Sequence, residues 1–133
     1  MSALLNWPAL AAIFVGGGIG SVFRYAVTFA FTQRFGPGFP WSTFAINVVG
    51  SLIIGVVFEL SQTRALGVTP LVRIFLMTGV LGGFTTFSTF SLDMVLLTGE
   101  RAAVAALLYA MGSVVLGFCA AFAGIATVRA LQP

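Results

Sequence analysis

Apolar residues fill four long stretches of the chain, and short segments rich in Gly, Pro or charged residues separate them. Each stretch is long enough to cross a bilayer, because a membrane-spanning helix needs about 20 apolar residues. No linker is long enough to separate two domains, so residues 1–133 are predicted to form a single all-α transmembrane domain. Because the first seven residues contain no Lys or Arg, we expect the first stretch to be a retained span and not a signal peptide. The predicted helices cover residues 8–31, 41–60, 71–98 and 102–128.

The third stretch differs from the others near its middle, where residues 82–91 read GGFTTFSTFS. Glycines followed by β-branched and hydroxyl residues disfavour a continuous helix, which predicts a break near residues 82–86. Non-helical backbone at membrane depth is tolerated only inside protein or beside a wet cavity. Discontinuous helices of this kind often turn free carbonyl groups towards a cation. The alternative interpretation is that Gly83 only allows two helices to pack closely.

Composition excludes most soluble classes of protein. Hydrophobic residues make up 59% of the chain and charged residues 7%, whereas a soluble domain carries about 25% charged residues. The six basic residues are arginines scattered singly, so they do not form the cluster that nucleic-acid binding requires. The chain has no histidine and no convincing pair of carboxylates, so we predict that it is not an enzyme. Its expected surroundings are a lipid bilayer.

The arginines are balanced between the two sides of the predicted bundle. With four spans, three arginines lie on each side, so the Lys/Arg bias that normally fixes orientation is absent. Small residues four positions apart, such as Gly16 and Gly20, would let helices approach closely. These features favour a homodimer of two copies in opposite orientations. The two sets of arginines are Arg64, Arg73 and Arg129 on one side, and Arg24, Arg34 and Arg101 on the other.

Polar residues form stripes on the second and fourth predicted helices. Thr43, Asn47 and Ser51 share one face, and so do Tyr109 and Ser113. Such side chains could simply hold helices together, at about 0.6 kcal/mol each. We interpret Ser51 in that way and Asn47, a bulky amide near mid-span, as functional.

Phe87 and Phe90 are neighbours on one helix face and are interleaved with hydroxyl residues that include Ser88 and Thr89. The default interpretation of phenylalanine in this chain is packing. However, an aromatic ring has a positive edge, so ring edges and hydroxyl donors together could replace the water around a small anion. Such a neutral lining would not hold the ion too tightly, which conduction requires.

Acidic residues are too few for a proton relay. Proton-coupled exporters usually need an intramembrane carboxylate, and Asp93 is the single candidate, since Glu59 ends the second span and Glu100 lies in a turn. The sequence therefore favours passive permeation.

Three blocks of sequence stand out together, namely Gly17–Gly20 with Arg24 and Tyr25, the spaced set Thr43, Asn47, Gly50 and Ser51, and the run Gly82–Ser91. Together they resemble the Fluc/CrcB family of small fluoride channels, and the resemblance covers essentially the whole chain. A departure is Ser42, where the family usually has glycine.

The resemblance implies an antiparallel, dual-topology homodimer in the bacterial inner membrane, with two pores through which fluoride leaves the cytoplasm passively. It implies a structural Na⁺ at the dimer interface, bound by the backbone carbonyls of Gly82 and Thr85, and a structural role for Arg24. The residues that it assigns to the fluoride pore are Asn47, Phe87, Phe90, Ser88, Thr89, Tyr109, Ser113 and Thr43.

Two other functions compete with this interpretation. One is a small dual-topology, proton-coupled exporter of the drug-resistance type. Such exporters use a glutamate in the first helix, whereas this chain has Arg24 and no acid there. The other is a membrane subunit that transports nothing and uses its polar stripes for assembly.

Overall fold

The computed structural model of the protein describes residues 6–63, 67–99 and 102–132. These residues contain no strand, and four helical spans are long and apolar enough to cross a membrane. The predicted all-α class and the four membrane-spanning helices are thereby confirmed. Arg64, Glu100 and Arg101 lie outside the described residues. The spans, numbered 1 to 4 below, are Trp7–Phe35, Trp41–Gln62, Pro70–Gly99 and Ala103–Ala130.

Span 1 is a single helix whose two ends are set by local chemistry. The side chain of Asn6 accepts a hydrogen bond from the Ala9 N–H at 2.9 Å, and Pro8 stands at the start, where its missing N–H costs nothing. At the other end Gly36 has a φ of 75°, which favours glycine and stops the helix. The helix thus continues to Phe35, four residues beyond the predicted bound.

Span 3 is built from several pieces, whereas the other spans are each one helix. It begins as the α-helix Pro70–Arg73, continues as the π-helix Ile74–Leu81, and returns to α-helix at Gly82–Phe84. Thr85 and Thr86 are not helical, and a further α-helix, Phe87–Gly99, completes the span. The π-helix is an addition that the sequence did not predict.

Glycines bring span 1 and the first part of span 3 into backbone contact. A Cβ atom on Gly16 would lie 2.7 Å from the Phe75 carbonyl oxygen, and one on Gly83 would overlap the Gly17 carbonyl. Spans 2 and 4 meet in the same way, where a Cβ atom on Gly55 would overlap the Ala121 carbonyl. These small-residue positions are therefore used inside one chain and add no separate support for a dimer.

The helix Phe87–Gly99 packs on spans 2 and 4, whereas the earlier part of span 3 packs chiefly on span 1. The non-helical residues Thr85 and Thr86 mark the point where span 3 changes partners. A small core forms where this last helix meets span 4. It contains Leu97, Ala106 and Tyr109, with Phe39, Phe44, Phe90 and Met94 packed against it.

An ion pair joins the ends of spans 2 and 4. Arg129 donates from Nε to Glu59 Oε1 at 2.9 Å and from Nη2 to Oε2 at 3.1 Å. The carboxylate of Glu59 is buried, while the Arg129 side chain remains largely exposed. This two-point geometry fixes the relative position of the two helix ends.

Candidate functional site

The candidate site is built around Thr85 and Thr86. The N–H and the hydroxyl of Thr85 both donate to the Leu81 carbonyl, at 3.0 and 2.9 Å, and end the preceding helix. The hydroxyl oxygen of Thr86 accepts from the Thr89 N–H at 3.2 Å and caps the next helix. Thr85 thus ends one helix, and Thr86 caps the start of the next.

Asn47 of span 2 pairs with the backbone of Thr86. Its side-chain oxygen accepts from the Thr86 N–H at 2.9 Å, and its amide nitrogen donates to the Thr86 carbonyl at 3.1 Å. The side chain therefore satisfies both backbone groups of a residue that no helix satisfies. An amide carries two N–H donors, and the contact with Thr86 uses one of them.

The same arrangement changes the partners of two carbonyl groups. In a continuous helix the Thr86 N–H would bond to the Gly82 carbonyl, and the Thr89 N–H to the Thr85 carbonyl. Here the first donates to Asn47 and the second to the Thr86 hydroxyl. The Thr85 carbonyl instead accepts a long hydrogen bond of 3.4 Å from Nη1 of Arg24.

A cavity of about 290 Å³ lies beside Thr85 and Thr86. None of its lining residues is charged, and Asn47, Phe87, Phe90 and Ser113 are among them. The Ser113 hydroxyl oxygen is buried and has no hydrogen-bond partner within the described part of the chain. We call this space the inner cavity.

A second cavity, of about 320 Å³, lies beneath the loop of residues 36–40 that joins spans 1 and 2. Thr43, Thr89 and Asp93 line it together with the loop. We call it the loop cavity. Asp93 contributes a carboxylate here, so the two cavities differ in charge.

Tyr109 contacts residues that line each of the two cavities. Its ring centroid is 5.2 Å from that of Phe90, which lines the inner cavity, and the two Phe rings of that side, Phe87 and Phe90, are 5.6 Å apart. The Tyr109 hydroxyl donates to Asp93 Oδ2 at 3.0 Å. Its proton is therefore bonded to a carboxylate that lines the loop cavity.

The residues that the family resemblance assigns to the fluoride pore are thus divided in the structure. Asn47, Phe87, Phe90 and Ser113 line the inner cavity, and Thr43 and Thr89 line the loop cavity. Ser88 lines neither and lies 3.3 Å from the Thr86 hydroxyl. Asp93 was considered only as a proton carrier, and its contact with Tyr109 was missed because residues 16 positions apart share no local sequence signal.

No group of three or more His, Cys, Asp or Glu side chains able to hold a metal ion occurs among the residues that the structure describes. A cation at this site would need backbone or hydroxyl oxygens as ligands. The carbonyls of Gly82 and Thr85 have suitable hard oxygen atoms, and neither receives its usual helical donor.

Comparison with known proteins identifies relatives over nearly the whole chain. The model of the CrcB-like protein family, Camphor Resistance (CrcB), matches residues 11–125. A fluoride-specific ion channel FluC of Rhizobium etli is 51% identical over 117 residues, which are 88% of this chain and 93% of the relative. That of Agrobacterium fabrum is 48% identical over 122 residues, 92% of this chain and 97% of the relative. That of Nitrobacter winogradskyi is 47% identical over 129 residues, 96% of this chain and 100% of the relative.

Proposed function

Because the chain belongs to the CrcB-like protein family, we propose that it is an ion channel through which fluoride leaves the bacterial cytoplasm passively. It is a multi-pass protein of the bacterial inner membrane and a transporter rather than an enzyme.

The lining of the inner cavity is the observation that supports fluoride conduction. A small anion that loses its water in a low-dielectric medium faces a cost of tens of kcal/mol unless other groups replace that water. The inner cavity offers the Ser113 hydroxyl, which is buried without a partner, and the second N–H of Asn47. Since no charged residue lines it, it can solvate an anion without trapping it.

Phe87 and Phe90 are proposed to turn their positive ring edges towards the ion as it passes. Phe87 is 79% exposed on the isolated chain, so a second molecule or a lipid must cover it. The hydroxyl groups of Ser88, Thr89, Thr43 and Tyr109 would continue the polar pathway beyond the rings. At present Ser88 and Thr89 bond to the nearby Thr86 hydroxyl, and Tyr109 donates to Asp93 of span 3. These hydroxyl groups would exchange partners when an ion arrives.

We propose that the working unit is a homodimer of antiparallel copies. The balanced arginines support it, and so does the exposure of Phe87 beside a cavity made of polar groups. A second copy in the opposite orientation would cover this face. A protease-sensitive tag at the C-terminus should then be cleaved on about half of the molecules in sealed vesicles, as equal insertion requires. Cleavage of all tags or of none would contradict dual topology.

We further propose that Gly82 and Thr85 hold a structural Na⁺ between the two copies through their carbonyl oxygens. The freed carbonyls fit this ion chemically, because hard cations bind oxygen ligands. The guanidinium of Arg24 competes for the Thr85 oxygen at 3.4 Å. Dimer stability should therefore be higher in NaCl than in N-methylglucamine chloride. Equal thermal dissociation of the dimer in both salts would contradict the Na⁺ site.

Efflux from liposomes tests the central proposal. Purified protein is reconstituted in vesicles loaded with equal concentrations of potassium fluoride and potassium chloride. Valinomycin is added so that K⁺ can leave together with the anions. Electrodes specific for each halide then follow release. We expect rapid fluoride release, little chloride release, and no dependence on a proton gradient. Equal release of both halides would refute the fluoride channel, and strict dependence on a proton gradient would favour the exporter.

A further inference from the structure

We infer that Phe39, in the loop between spans 1 and 2, is a gate that limits ion access at the end of the polar pathway that lies under this loop. The loop cavity beneath Phe39 would then be a hydrated compartment of that pathway. The inference rests on the proposed conduction of fluoride. It adds a residue and a compartment that lie beyond the inner cavity.

Tyr109 is enclosed by two rings. The ring of Phe39 stands edge-on to it, with centroids 5.6 Å apart and an interplanar angle of 83°. Phe90 lies 5.2 Å away at 40°. Tyr109 as a whole is only 1% exposed, so neither an ion nor water meets it freely. An ion that travels from the inner cavity past Phe90 and Tyr109 therefore still faces Phe39 before it reaches the aqueous side.

The loop cavity has the character of a watery compartment. Its volume of about 320 Å³ far exceeds the ~30 Å³ that one molecule occupies in liquid water. Hydroxyl groups of Thr28, Thr43 and Thr89 belong to lining residues, and they can donate to an anion or to its water. Asp93 also lines the cavity, and its negative charge would keep an anion from settling there.

The loop has the backbone freedom that a gate needs. Gly36 adopts a φ of 75°, and a Cβ atom on Gly36 or Gly38 would meet nothing within 4 Å, so the chain around both glycines is open. Phe39 itself is held by side-chain contacts, with its centroid 4.5 Å from that of Trp41. Displacement of the Phe39 ring would therefore break aromatic contacts without disturbing a packed backbone.

Thiol accessibility tests the gate without relying on ion flow. Cys119 is exposed, so it is first replaced by Ser. Leu97, a buried residue of the loop cavity, is then changed to Cys, and its modification by a small methanethiosulfonate reagent is timed in liposomes. Phe39→Ala should accelerate the reaction about threefold to tenfold, the factor that corresponds to the loss of the ring contact between Phe39 and Tyr109. The matched control is Phe35→Ala, which removes an exposed ring at the same end of span 1 and should leave the rate unchanged.

Each result decides one part of the inference. Equal modification rates with Phe39 and with Ala at that position would overturn the gate. Faster modification that leaves fluoride efflux unaffected would remove the loop cavity from the pathway. If the unmodified protein passes no fluoride, the proposed function fails, while the ratio of thiol rates still reports on the gate. If Leu97→Cys does not fold, as judged by thermal unfolding, Thr43→Cys places the probe in the same cavity with a smaller change in shape.

Discussion

Spans 3 and 4 both carry hydroxyl residues through an apolar stretch, but they use them in opposite ways. In span 3 the hydroxyls of Thr85 and Thr86 are bonded to nearby backbone, and they shape the chain where it is not helical. Span 4 is one uninterrupted helix, and there the buried Ser113 hydroxyl is left without a partner among the described residues. The comparison teaches that the hydroxyl-rich run builds the site, whereas the sparser stripe on span 4 supplies the group available to a ligand.

The largest effect is expected from Asn47→Leu, which removes both hydrogen bonds to the Thr86 backbone. Each partner group that is left unsatisfied in a buried setting costs about 1–3 kcal/mol, so the free energy of unfolding should fall by about 2–6 kcal/mol. Fluoride efflux should be lost as well. Thermal unfolding in detergent and efflux from liposomes measure the two effects.

Asn47→Asp separates the structural and the ion-contacting roles of this side chain. Aspartate can still accept from the Thr86 N–H, but it cannot donate to the Thr86 carbonyl, and it adds a negative charge. We expect slower fluoride efflux together with a smaller loss of stability than in Asn47→Leu. The matched control is Ser61→Ala, on the same helix but outside the lining of the inner cavity, which should leave efflux near the wild-type rate. An unchanged efflux rate in Asn47→Asp would remove Asn47 from the pathway.

Ser113→Ala tests the claim that span 4 supplies a free donor. A hydrogen bond to a charged group is worth about 1.5–3 kcal/mol, so fluoride efflux should fall about tenfold or more. Stability should not fall, because the buried hydroxyl has no partner to lose. The control is Ser91→Ala on span 3, whose exposed hydroxyl bonds to the Phe87 carbonyl. If both variants slow efflux equally, the contrast between the two spans is wrong.

A smaller effect is expected at Thr86, whose hydroxyl caps the helix Phe87–Gly99. Thr86→Ala should lower the free energy of unfolding by about 1 kcal/mol, as for other N-caps, and Thr86→Ser should restore it. Thermal unfolding of the three proteins provides the measurement. A loss of the same size in Thr86→Ser would mean that the methyl group, rather than the hydroxyl, stabilises the site.

The smallest effect on fluoride efflux is expected from Asp93→Asn, which alters the hydrogen bond between Asp93 of span 3 and Tyr109 of span 4. Asparagine can still accept the hydrogen bond from the Tyr109 hydroxyl, so fluoride efflux should persist without a proton gradient. A proton-coupled exporter would instead lose transport, because Asp93 is the one carboxylate suited to carry its proton. Abolished efflux in Asp93→Asn would therefore favour the exporter.

The sequence predicted the parts of the fold that depend on local pattern. Four apolar stretches were sufficient to predict four spans, because length and hydrophobicity alone decide whether a helix can cross a bilayer. The Gly- and Pro-rich segment after the first apolar stretch predicted a loop there, and Gly36 ends span 1. The π-helix Ile74–Leu81 was not predictable, since its residues form an ordinary apolar run.

The partners of individual side chains were beyond the reach of single-sequence reasoning. The polar stripe drew attention to Asn47, but its contact is with the backbone of Thr86, and a backbone partner leaves no mark in the sequence. The same holds for Asp93 and Tyr109, which meet only because the helix Phe87–Gly99 packs on span 4. Glu59 and Arg129 are 70 positions apart, and both looked like separate end-of-helix charges.

The closed hydrogen bonds around Thr86 have a consequence for motion. Its N–H and carbonyl are held by Asn47, and its hydroxyl caps the following helix. With these hydrogen bonds intact, the kink should be rigid. The helices before and after Thr85 and Thr86 should therefore keep a constant angle on the timescale of ion passage. Slow deuterium uptake at the Thr86 amide would be the signature of that stiffness.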